Sequence, residues 1–102
     1  MNHFRVGEIS KDKPYVEFLR TLDLSAGVYR LAAGATDSQD PHSEEEIYYV
    51  LAGHARFESG GGDVAVKPGD LLFVPTGEHH KFHDITQDLE LLVLFAPAEG
   101  TR

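Results

Sequence analysis

The segment Asp40-Pro41-His42-Ser43-Glu44-Glu45-Glu46-Ile47-Tyr48-Tyr49-Val50 sets an imidazole and several carboxylates beside an apolar β-type run. In an extended chain successive side chains alternate faces, so Asp40, His42, Glu46, Tyr48 and Val50 share one face. Polar groups on a face that otherwise points inward are costly unless they are paired or bound to an ion. By the same parity His80, Phe82 and Asp84 share a face farther along the chain. Two histidines and one carboxylate drawn from two strands make a facial ligand set of the kind that binds Fe(II). Mn, Zn and Ni accept the same donors. Tyr48 and Phe82 then face the site, either as core packing or as the lining of a small-molecule pocket. A hydrogen-bonded cluster without metal is the alternative reading of the same residues.

These side chains must be held by strands, because β-type segments separated by Gly, Pro and Asp fill most of the chain. Tyr15 to Arg20 and Val28 to Leu31 are rich in β-branched and aromatic residues. A polar loop over 34–41 precedes Ile47 to Leu51, which closes at Gly53. His54 to Glu58 and Asp63 to Lys67 flank Gly60-Gly61-Gly62, a hairpin turn in which glycine accepts positive φ freely. Pro68-Gly69-Asp70 is a further turn before Leu71 to Val74. His80 to Asp84 and the apolar run Leu89 to Phe95 complete the set. Turns recur at nearly the 8–12 residues typical of a sandwich or barrel, and no window carries a capped helical stripe. The expected fold class is all-β.

The same residues carry a family resemblance. Gly34, Asp40, His42, Glu46 and Gly53 follow the spacing of the first cupin motif, G-x5-H-x-H-x3-4-E-x6-G, over 34–53. Gly69, Pro75, Gly77, His80 and Asp84 are similar to the second, G-x5-P-x-G-x2-H-x3-N, over 69–84. The chain thus resembles the small single-domain cupins of the RmlC-like kind. That implies a double-stranded β-helix, or jelly-roll barrel, over 1–102, with one divalent metal per chain (Fe, Mn, Zn or Ni). It also implies His42, Glu46 and His80 as ligands, and a homodimer. Asp40 stands where the family has its first His, and Asp84 where it has Asn. Asp40 is therefore an optional fourth ligand, and Asp-Pro is equally a common turn.

Composition narrows what remains. At 102 residues the length prior gives about 0.7 of a domain, so one core is expected. Seventeen acidic against nine basic residues leave a net charge of −8. That balance argues against nucleic acid or an anionic membrane as partner. There is no cysteine, which excludes disulfides and thiol nucleophiles. The longest apolar run, Leu91 to Ala98, is interrupted by Pro97 and far shorter than the ~20 residues that span a bilayer. Together these read as a cytoplasmic protein. Glu44 reads as a surface carboxylate, and His79 and His83 as facing solvent. The expected activity is that of a metal-dependent enzyme, non-haem oxygenase or dioxygenase-like, on a small molecule held in the barrel. The alternative is a non-catalytic small-molecule-binding or sensor cupin.

Overall fold

The computed structural model describes residues 1–101. A short 3-10 turn, Val6–Glu8, precedes six strands: β1 (Tyr15–Arg20), β2 (Ser25–Leu31), β3 (Glu45–Ser59), β4 (Gly62–Val66), β5 (Leu71–Val74) and β6 (His80–Ala96). All pairings are antiparallel, in the order β1-β2-β6-β3-β4, with β5 paired to the first half of β3 and β4 to its second half. Among the described residues no helix is long and apolar enough to cross a membrane.

Two long strands organise this sheet. The first half of β3 pairs with the second half of β6, Glu45↔Ala96 to Val50↔Leu91. Its second half pairs with the first half of β6, Arg56↔His83 to Ser59↔His80. Register shifts lie between Val50 and Arg56, around Gly53. Gly53 has φ of 96°, and a Cβ there would run into the carbonyl oxygen of Asp88. The strand therefore bends at Gly53 instead of closing there as the sequence reading expects. On β6 the matching irregularities fall between His83 and Leu91, where Asp84 adopts φ of 47°. The expected separate segments 80–84 and 89–95 are one strand. Each bend lets a single ladder curve around the core and make the jelly roll, without a second set of chain breaks.

The alternation inside these strands builds the interior. Tyr48, Val50, Phe57, Phe82, Leu89, Leu91, Val93 and Phe95 are buried in one cluster. Gly60 and Gly61, with φ of 56° and 84°, form the β3–β4 hairpin at the expected glycines. Gly77 N–H donates to the His42 carbonyl at 2.8 Å, tying the turn before β6 to the loop before β3. This bond brings the two motif segments side by side. Glu44 corrects an expectation. It is buried, and its Oε2 accepts from Gly100 N–H at 3.2 Å, because the C-terminal segment folds back over the start of β3.

Candidate metal centre

Glu46 and Tyr48 project from the start of β3 into the barrel, and His80 projects from the first residue of β6. His42 enters from the loop before β3. Glu46 is 2% exposed and His80 1%. His80 Nε2 lies 3.1 Å from Glu46 Oε1, and His42 Nε2 lies 3.9 Å from the same oxygen. His42, Glu46 and His80 thus form one group with a ligand atom each within 4.8 Å of the others. Adjacent donors on an ion with ~2.1 Å bonds sit roughly 3–3.4 Å apart, so these spacings need little change to close on a cation.

The hydrogen-bonding arithmetic favours one. His80 Nδ1 is 2.9 Å from the Glu78 carbonyl. A carbonyl only accepts, so Nδ1 carries the hydrogen and Nε2 of the neutral ring turns a lone pair toward Glu46. Among the described residues neither Glu46 oxygen accepts a well-formed hydrogen bond, although His80 Nε2 stands 3.1 Å from Oε1. A buried carboxylate facing an imidazole lone pair needs either a proton or a metal between them. Burial lowers the His80 pKa, but the Glu46 carboxylate and the Glu78 carbonyl more than offset it and hold it above the ordinary value. Without metal, a shared proton is what keeps the pair together.

Tyr48 OH lies 3.2 Å from His80 Nε2 and donates to Gln39 Oε1 at 3.1 Å. Burial, reinforced by the Glu46 charge, pushes its pKa well above the usual value, so it remains a phenol. A cavity of about 210 Å³ opens beside these atoms, walled by Tyr15, Tyr29, Gln39, Val93, Phe95 and Glu99 besides His42, Glu46 and Tyr48. The Tyr15 hydroxyl is buried and has no hydrogen-bond partner among the described residues. Glu99 Oε2 is 3.9 Å from His42 Nδ1. Burial raises the Glu99 pKa above the usual carboxylate range; His42 pulls it down and the Glu46 charge adds to the rise.

Of the residues singled out in the sequence, His42, Glu46, His80 and Tyr48 are brought together. Phe82 lies one layer deeper, packed edge-on against Tyr48 at 5.0 Å, and does not line the cavity. Asp40 is exposed and stands outside the group. Gln39, Tyr15, Tyr29 and Glu99 were not singled out. Gln39 sits in an irregular loop where period-2 parity has no meaning, and no sequence signal marks it. The two tyrosines were legible only as strand residues. A second group, Glu58, Asp63 and His83, lies on the outer surface. There Asp63 already bonds Arg56 at 2.9 Å and His83 at 2.8 Å, a solvated ion-pair network.

The family model described as Cupin domain matches residues 27–96, which include every ligand candidate named above. The chain belongs to the cupin family. It is 42% identical to an uncharacterised protein of Streptomyces coelicolor, over 98% of this chain and 100% of that one. It is 37% identical to an oxalate-binding protein of Thermotoga maritima, over 64% of this chain and 55% of that one. An acireductone dioxygenase of Arabidopsis thaliana is 29% identical over 92% of this cupin and 54% of the plant protein. The chain thus spans about half the length of these last two relatives. Among solved structures, KdgF from a Halomonas species superposes with a TM-score of 0.78 at 24% identity, covering 89% of this chain and 86% of that one. This likeness shows the jelly-roll fold.

Proposed function

We propose that this cupin is a metal-dependent enzyme of non-haem oxygenase or related type, acting on a small molecule in the barrel. The observation that carries the reading is Glu46, a buried carboxylate whose oxygens accept no hydrogen bond among the described residues and face two imidazoles. His42, Glu46 and His80 would hold one divalent ion, and their nitrogen and oxygen donors suit Fe, Mn, Zn or Ni. Such an ion supplies Lewis acidity and, where redox-active, electrons for oxygen chemistry.

The chain's own residues do the rest. The cavity of about 210 Å³ lies below the ~300 Å³ at which drug-sized sites begin, so it selects a small metabolite. Val93 and Phe95 exclude water on one wall, and the Tyr15 hydroxyl offers a hydrogen bond to orient the guest. Among the described residues no Lys or Arg lines the wall. An anionic guest would therefore rely on the ion for its counter-charge. Glu99, whose pKa burial raises, is placed beside His42 to hold or move a proton at Oε2.

A second reading, binding without turnover, is favoured by the Thermotoga relative named as an oxalate-binding protein. Elemental analysis of protein purified without chelator or affinity metal tests the shared premise. One equivalent of metal is expected, and a chain that stays empty even after loading would overturn both readings. The metal-loaded protein is then offered a panel of small carbonyl and hydroxyl compounds, followed by oxygen uptake and product mass. Turnover supports the enzyme; thermal shifts without any product would support the binder.

We also propose that two copies associate through the outer face of the sheet. Leu71, Tyr49 and Leu92 form one row across β5, β3 and β6, and Phe73, Ile47 and Leu94 the next. Leu71 is 61% exposed and Phe73 52%. Among the described residues β5 pairs only with β3, which leaves its outer edge open, and it carries no charge to blunt that edge.

A further inference from the structure

Resting on the metal reading above, we propose that Gln39, and not Asp40, is the fourth protein ligand, binding through Oε1. The family pattern points to position 40, but Asp40 is exposed while Gln39 lines the cavity. Gln39 Oε1 lies 3.4 Å from His42 Nε2 and 3.1 Å from Tyr48 OH. With Glu46 Oε1 and His80 Nε2 these atoms make a closed circuit whose steps are 3.1, 3.2, 3.1, 3.9 and 3.4 Å. The direct steps from Gln39 to His42 and from His80 to Glu46 match the donor spacing expected around one ion, the Tyr48 hydroxyl bridges Gln39 to His80, and the 3.9 Å step from Glu46 to His42 has to shorten on binding.

The amide orientation is set from behind. Gln39 Nε2 donates to Asp37 Oδ2 at 3.0 Å. Asp37 is 4% exposed and is also held by Tyr29 OH at 2.7 Å and the Phe82 N–H at 2.9 Å. A carboxylate only accepts, so the flipped amide would set oxygen against oxygen and lose the bond. Oε1 is thereby committed to the site. An outer carboxylate that fixes the rotamer of an inner donor is the usual support for a metal ligand. A plain packing role would not need a buried charge behind the amide. The ligand set then carries one negative charge, from Glu46, where a carboxylate at position 40 would give two. A divalent ion in it keeps a net positive charge for the guest.

The test uses Co(II), whose visible bands report coordination number and donor type, titrated into metal-free protein against a chelator. The parent should bind one Co(II). Gln39→Leu should lose at least tenfold in affinity and change the bands, whereas Gln39→Glu should keep oxygen donation and affinity at or above the parent's. Asp40→Ala should stay within a few-fold. Should Gln39→Leu misfold by circular dichroism, Gln39→Asn keeps the amide, draws its oxygen back by one methylene, and is expected to show the same loss. Parent-like bands and affinity in Gln39→Leu or Gln39→Asn would overturn the inference while leaving the three-ligand site standing. So would a tenfold loss in Asp40→Ala. A Tyr48→Phe protein reproducing the Gln39→Leu spectrum would overturn it too, by showing that Gln39 acts only as a clamp on the hydroxyl. A parent that takes up no Co(II) would instead overturn the metal reading itself.

Discussion

Glu46 is a carboxylate whose effect on stability depends on what else the site holds. Without metal and with His80 neutral, its two buried oxygens, which accept no hydrogen bond among the described residues, are a burden on the fold. With metal they anchor an ion that binds only the folded chain and stabilises it by mass action. Glu46→Gln is therefore expected to change sign: at mildly alkaline pH the metal-free variant melts at or above the parent, and with saturating metal well below it. Melting curves with and without metal check this, and a variant destabilised equally in both would contradict it. His80 gives the companion prediction. Its folded pKa is raised, so the stability it contributes is full below the unfolded value of about 6.5 and lost as pH rises through the folded value. Metal needs neutral imidazoles and an ionised carboxylate, so metal stabilisation grows as pH rises. The gap in Tm between loaded and metal-free protein should widen from about pH 6 to about pH 8, and a constant gap would exclude histidine ligands. Parity in the sequence was enough to put His42, Glu46 and Tyr48 on one face. It failed at Gln39, because face alternation holds only where the chain is extended. Glu44 does share the inward parity, and the surface reading, which rested on a bend before the strand, missed the C-terminal segment that covers it from 56 residues away.

At the scale of elements, turn chemistry was the legible part. Gly60 and Gly61 make the hairpin expected of them, and β1 and β5 begin and end at the residues read from the sequence. The continuity of β3 and β6 was not legible. Gly53 carries the same local signal whether it ends a strand or bends one, and only the approach of the Asp88 backbone decides. That approach yields a prediction. Gly53→Ala combines a left-handed φ of 96° with a Cβ driven into backbone that cannot swing aside. It should cost at least about 2 kcal/mol in denaturant unfolding, more than the usual penalty for φ alone. Gly61→Ala, at φ of 84° with open space around it, should cost only about 1 kcal/mol. Equal losses would mean that the bend at Gly53 is not tightly packed. Because β3 carries Glu46 and Tyr48 on one side of that bend and β6 carries His80, the Gly53 variant should also bind metal more weakly than the Gly61 variant.

For the whole molecule, charge and apolar surface point to the same partner. A net charge of −8 on 102 residues makes two copies repel in general, so association must use a face from which charge is absent. The two rows Leu71-Tyr49-Leu92 and Phe73-Ile47-Leu94 provide such a face, and they adjoin the open edge of β5. A two-fold axis lets each copy offer the same patch to the other, which a sheet face with few protrusions satisfies well. Stable pairs bury roughly 800 Å² per partner, so the contact must extend beyond β5 onto the outer face of β3 and β6. The cavity opens on the inner face, lined by the opposite parity of the same strands. Assembly and metal binding should therefore separate under mutation. The parent is expected to sediment at about twice its 11.3 kDa, and Phe73→Glu with Leu71→Lys to sediment as the single chain. Both should retain the same metal content per chain, since neither substitution touches the site. A parent that stays monomeric from micromolar to hundred-micromolar concentration would remove the second copy as the occupant of this face. Loss of metal on forced dissociation would show instead that the site depends on the partner copy, through β3, whose outer side chains alternate with Glu46 and Tyr48.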